Sequence, residues 1–305
     1  MKKASVCFCF LYFFLLCPLF SRLYVVTTTT DLASIAKEVG RDLVEVESLT
    51  FGNTDLHFVP AQPNFIVKVN KADVFIEVGL ELESSWTSLV LNQARNNKVM
   101  VGQIGYCVAW QGVNVLLPPQ QEINRSMGDL HPQGNPHYWP DPVNGIIISR
   151  NIRDTYIRVD PKNEKKYQQY QEEFEKKVKE VLFENLKLLK PFAGTRVVGY
   201  HQEFDYLINR YKMVVVDNIE EKPGVLPGPA RLKAMKDIIL RNGVKLILVS
   251  PWTNIALARK VSQDSGVPLL ILPIQTKSAE NTETYLDMLR TTAQMLYEAL
   301  SKKEK

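Results

Sequence analysis

From Lys162 to Lys190 the chain runs as KNEKKYQQYQEEFEKKVKEVLFENLKLLK, without an interior glycine or proline, and Pro161 and Pro191 stand at its borders. Asp160-Pro161 supplies a helix cap followed by the residue best tolerated in a first helical turn. Tyr167, Tyr170, Phe174, Val178 and Val181 then recur at three- and four-residue steps with charges between them, which predicts a surface helix with one apolar stripe. At ~1.5 Å per residue such a helix spans roughly 40 Å, the height of a small two-lobed protein. A local coiled-coil hairpin is the alternative for this segment alone. The flanking sequence decides between them.

Before the helix, short β-branched runs (YVVTTTT, LVEVESLT, ADVFIEVG, KVMVG) alternate with helix-length amphipathic stretches (DLASIAKEVGRD, LESSWTSLVLNQARN). After it the alternation restarts: TRVVGY, YKMVVVDN, VKLILVSP and PLLILPI, with GPARLKAMKDIILRN and NIALARKVSQDSG between them. Strands separated by helices imply crossover units and mainly parallel sheets. The expected architecture is α/β: one lobe over residues 23–160, a linking helix over 161–190 and a second lobe over 191–305. One stiff helix between lobes permits only small rocking motions.

Residues 1–22 read differently. Lys2 and Lys3 precede the apolar run ASVCFCFLYFFLLCPLF, the layout of an export signal, with a retained anchor or lipid attachment at Cys17 as alternatives. Its removal takes Lys2, Lys3 and Arg22 from 37 basic residues, leaving 34 against 33 acidic. A near-neutral chain lacks the basic footprint of a nucleic-acid binder. Removal also takes Cys7, Cys9 and Cys17, leaving Cys107 alone, so neither an internal disulfide nor a thiolate metal cluster is available.

The four histidines are His57 in TDLHFVPAQPNF, His131 in GDLHPQG, His137 in GNPHYWPDPVN and His201 in VVGYHQEFDYLINRY. A single histidine is most often a surface or hydrogen-bonded residue. Here, however, His57 and His201 follow predicted strands, where α/β folds present ligand-contacting groups, and His137 precedes Asp141-Pro142, which opens another helix. Neutral imidazole is the commonest metal ligand, and stiff loops rich in proline and aromatics lose less entropy on binding.

At these residues the sequence resembles the substrate-binding proteins of zinc and manganese ABC importers, the TroA-like solute-binding family, over essentially the whole chain after the leader. NPHYWPDPVN nearly repeats that family's N-P-H-x-W-x-D-P-x-N loop; TDLHFVPAQP and HQEFDY resemble its other two histidine motifs, and EEKPGVLPGPARL its proline-rich loop. The resemblance implies two lobes joined by a long helix, and His57, His137 and His201 as metal ligands. It further implies a zinc-binding, non-enzymatic, monomeric protein in the periplasm or at the cell surface that serves a membrane permease. Manganese is the alternative cargo, but nitrogen donors favour zinc, and His201 stands where manganese-type relatives carry a carboxylate.

Two departures matter. The histidine-rich loop of many zinc importers is reduced here to PPQQEINRSMGDLHPQG, with His131 alone. The carboxylate that many members supply after the last strand is missing: LPIQTKSAENTETYLDM places Gln275 or Thr276 there. The fourth donor is then water, Gln275, Glu280 or Glu283. Water is expected, because ordering a loop to bring in a glutamate costs about 1 kcal/mol or more per residue. Two other readings compete. A zinc hydrolase needs a base beside the metal, and Glu203 is the adjacent acid; EFDYLINRY reads as a helix that turns it away. A haem or chelate carrier would use Phe58, Tyr138 and Trp139 as pocket lining, whereas packing of the histidine loops is the expected role of those rings.

Overall fold

The structure, a computed structural model, describes residues 22–117, 131–222 and 224–302. The expected leader and Cys17 lie outside the described residues, Arg22 apart. The first lobe contains β1 (Leu23–Thr27), α1 (Thr30–Gly40), β2 (Val44–Ser48), α2 (Pro63–Lys71), β3 (Val74–Glu77), α3 (Ser84–Ala94), β4 (Tyr106–Val108) and α4 (Pro142–Val159). Helix α5 (Glu164–Leu189) follows, and then β5 (Arg196–Gly199), α6 (Asp205–Arg210), β6 (Val214–Asn218), α7 (Pro229–Asn242), β7 (Leu246–Val249), α8 (Ile255–Ser265), β8 (Leu269–Ile271) and α9 (Tyr285–Ser301).

Both sheets are parallel throughout and share one order, β2-β1-β3-β4 and β6-β5-β7-β8. Helices cover both faces, so the inner strands are apolar on both sides: Val25, Val26 and all of Leu246–Val249 are buried. In each sheet the chain leaves its first strand to one side and then crosses back to the other. That switch opens a crevice beyond the carboxyl ends of the strands. The two crevices face each other.

One strand falls elsewhere than its sequence suggests. KVMVG forms turns, with Val99 buried as a plug, Val101 exposed and Gly102 at φ +85°, and the fourth strand is Tyr106–Val108 instead. The positive φ turns the chain back before a ladder can start. Strand β4 carries Cys107, the only cysteine among the described residues, buried and with its thiol pushed up to about 11 by burial, which leaves it inert. Among the described residues no helix is long and apolar enough to cross a membrane.

Helix α5 has the expected stripe: Tyr167, Phe174, Val178 and Val181 enter the core of the first lobe, and Leu189 enters that of the second. Tyr170 sits at the stripe's edge, with Arg41 stacked over its ring at 4.3 Å and its hydroxyl donating to Asp42. Sequence reading missed a second connection. Helix α9 lies against α5, placing Tyr285, Met288 and Leu289 in the first core and Ala293 and Leu296 in the second. Two helices therefore tie the lobes together. Thr284 and Asp287 form a reciprocal capping box at the start of α9. Thr284→Ala is expected to cost about 1 kcal/mol in urea unfolding without altering metal binding.

Candidate metal centre

His57 and His201 follow the carboxyl ends of β2 and β5, His137 lies on the long loop before α4, and the ligating atoms of the three lie within 4.8 Å of one another. His57 belongs to a short 3₁₀ turn after β2, whose cap Asp55 accepts from the His57 backbone N–H at 3.1 Å and pairs with ring Nδ1 at 2.9 Å. His137 repeats the device on the long loop before α4. Asn135, again two residues earlier, accepts from its backbone N–H at 2.9 Å and meets Nδ1 at 3.0 Å. His201 follows β5, and its Nδ1 meets Glu220, which follows β6, at 2.8 Å.

These partners determine the tautomers. A carboxylate only accepts, and Asn135 must present its oxygen because its NH₂ donates to Gln202 O at 2.9 Å. Each Nδ1 is therefore the protonated nitrogen, and each Nε2 keeps a lone pair facing the hollow. Outer partners of this kind orient ligating imidazoles and raise their basicity. The spacings D-x-H and N-x-H were visible in TDLH and NPH. Glu220 left no sequence signal, because it reaches His201 from the next crossover unit.

The loop from Asn135 to Asn144 is stiff because the second lobe holds it. Asn135 bonds Gln202, the Tyr206 hydroxyl donates to Asn135 O at 2.8 Å, and Trp139 Nε1 donates to Ile274 O at 2.8 Å. The Tyr285 hydroxyl donates to Trp139 O at 2.6 Å, and Arg210 grips both oxygens of Asp141, the cap of α4. Gly145 is required beneath Tyr285, because any Cβ there would collide with the tyrosine hydroxyl. Tyr138 is buried and donates to Val78 O. Tyr138 and Trp139 thus pack the loop, while Phe58 stands exposed at the rim.

The hollow bounded by the histidines holds about 200 Å³. That is below the range of pockets for drug-sized ligands and favours a bare ion over haem or a chelate. Gln275 lines the hollow, its amide N–H₂ donating to Thr54 O at 3.1 Å. Its neighbour Thr276 is clamped to the first lobe by Asp31 and Thr30. Glu280 and Glu283 are exposed, and Glu280 faces a separate hollow beside Asn185 and Met295. His131, at the edge of the described residues, does reach the site. Its Nε2 lies 3.2 Å from His57 Nε2.

Glu203 corrects the sequence reading. Helix α6 begins only at Asp205, so Glu203 lies in the preceding turn and lines the hollow, buried, with Oε1 lacking any hydrogen-bond partner. Burial pushes its carboxyl up to about 7. His137 is held well below the ordinary imidazole range by burial and by its histidine neighbours. For His201 burial also opposes the charged form, but the Glu220 hydrogen bond and the charges of Glu203, Glu220 and Asp55 outweigh it and raise the ring. A buried hollow with inward imidazoles and surrounding carboxylates is suited to a cation.

The profile of the family described as "Zinc-uptake complex component A periplasmic" matches residues 25–299. The chain is 26% identical to the manganese ABC transporter substrate-binding lipoprotein PsaA of Streptococcus pneumoniae, covering 92% of this chain and 90% of that protein. It is 24% identical to the zinc-binding lipoprotein AdcA of the same species, covering 90% of this chain and 55% of the relative. A crystal structure of ZnuA superimposes with a TM-score of 0.76 at 19% identity, over 92% of this chain and all of that one.

Proposed function

Because the chain belongs to the zinc-uptake complex component A family, we propose that it captures one zinc ion between its lobes through His57, His137 and His201 and delivers it to a membrane permease. Members of this family are exported substrate-binding components of metal ABC importers, and the chain is such a carrier rather than an enzyme. The observation that carries the zinc reading is the set of three imidazoles, each with its Nδ1 on an acceptor, whose ligating atoms lie within 4.8 Å of one another. The relatives' names include both manganese and zinc, so the choice of metal rests on the donors. Nitrogen shells bind manganese most weakly of the common divalent ions, and three imidazoles with a further position match zinc. Glu203, although adjacent, then supplies negative charge near the cation instead of acting as a hydrolytic base.

With the lobes tied by two helices and the His137 loop bonded across the cleft, the proposed carrier works as a monomer with small rocking motions. Occupancy would be reported to the permease as a shift in that equilibrium. Direct competition between zinc and manganese, read by elemental analysis after dialysis of the metal-free protein, is expected to give one zinc per chain and little manganese. Manganese in excess at equal supply would reassign the cargo while leaving the carrier reading intact.

A further inference from the structure

We propose that His131 is the fourth donor to the captured ion, so that all four histidines of the chain form one tetrahedral, all-imidazole shell. The inference rests on the three-histidine reading and deepens it. Two nitrogens bound to one tetrahedral zinc at ~2.0–2.1 Å stand roughly 3.3 Å apart. His131 Nε2 and His57 Nε2 are 3.2 Å apart and the two ring centroids 5.3 Å, while the His131 ring stands 6.4 Å from that of His137, so His131 completes the shell by moving in on three ligands already within 4.8 Å of one another.

The tautomers make that approach meaningful. His57 gives its N–H to Asp55, so its Nε2 carries a lone pair. The His131 ring is hydrogen-bonded to the backbone at Leu80. With Nε2 turned to His57, the single N–H of a neutral His131 ring serves the Leu80 carbonyl. Two lone pairs then face each other across 3.2 Å, an arrangement that a cation between them relieves. The backbone around Leu80 is unusual: Gly79, Leu80 and Glu81 all take positive φ, at 79°, 54° and 65°. This turn after β3 brings a carbonyl to the ring.

The consequence is selectivity. A fourth neutral nitrogen in place of the carboxylate leaves the shell without an oxygen donor from the protein. The ion's charge is balanced one layer out by Asp55 and Glu220, both bonded to ligand imidazoles. Such a shell sets manganese at a further disadvantage.

The experiment is X-ray absorption spectroscopy of the zinc-loaded protein, paired with zinc titration against a chelator for wild type, His131→Ala, Glu203→Gln and Gln275→Ala. Four imidazoles per zinc are expected in wild type and three in His131→Ala, with affinity reduced by at least the ~100-fold that loss of an outer-shell partner can cost. Three imidazoles in wild type, or His131→Ala within threefold of it, overturns the proposal in favour of water. The large loss appearing in Glu203→Gln or Gln275→Ala instead overturns it in favour of that side chain. His57→Ala, run alongside, separates the two levels: if it too binds zinc normally, the three-histidine site itself is wrong.

Discussion

His137→Ala is expected to lower zinc affinity by about three powers of ten or more, which at ~1.4 kcal/mol per tenfold is over 4 kcal/mol. His137 is the most deeply placed ligand, 4% exposed, and its surroundings cannot move to replace it. Asn135 and Trp139 on either side are bonded to the opposite lobe, so the backbone keeps its place when the ring is removed. The ring is neutral near pH 7, because burial holds it below the imidazole range, so its loss strands no partner charge. The metal-free variant should therefore unfold within about 1–2 kcal/mol of wild type. The difference appears with metal. At zinc a thousandfold above the dissociation constant, wild type gains about 4 kcal/mol, and the variant should gain almost none. Thermal unfolding with and without zinc reads both quantities at once. A variant with an unchanged zinc-dependent shift would remove His137 from the site.

The lobes and the linking helix were legible because their signals are local and periodic. The α5 stripe is a 3.6-residue pattern, and the strands are apolar runs between turn formers. The second bridge was not, because α9 is an ordinary amphipathic helix in sequence, and only packing shows that Tyr285 and Leu296 enter different cores. The site divides in the same way. His57 and His137 were legible with their supports, since D-x-H and N-x-H place acceptor and imidazole in one turn. Glu220 and Leu80 act from other crossover units, and no spacing in the chain encodes those meetings. Glu203 was misjudged for a boundary reason: helix α6 starts two residues later than its side chain needs in order to point away. His131 likewise offers no motif in the sequence, only proximity in the fold.

Acidification is expected to release the metal, and the sign follows from His201. Burial alone would favour its neutral form, but Glu220, Glu203 and Asp55 raise it above the ordinary 6.5. Below that raised value the metal-free protein carries a proton on the nitrogen that the ion must occupy. Each pH unit lower then costs about tenfold in affinity for that one displaced proton. Glu203, pushed up to about 7 by burial, gains its own proton over the same window and removes a negative charge beside the cation. The two effects add, so the slope should exceed one proton where both groups titrate. His137 lies too low to compete there, and His131, lowered to about 3 by burial and its histidine neighbours, does not compete either. Affinity should fall as pH drops through the raised His201 range, by more than tenfold per pH unit where Glu203 takes up its proton as well. Glu203→Gln removes one of the two groups and should flatten the fall toward tenfold per unit. Zinc competition titrations at half-unit steps in both proteins measure the slopes directly. Equal slopes would show that Glu203 is electrostatically uncoupled from the ion, and a flat wild-type profile down to pH 5 would mean that His201 is not a ligand.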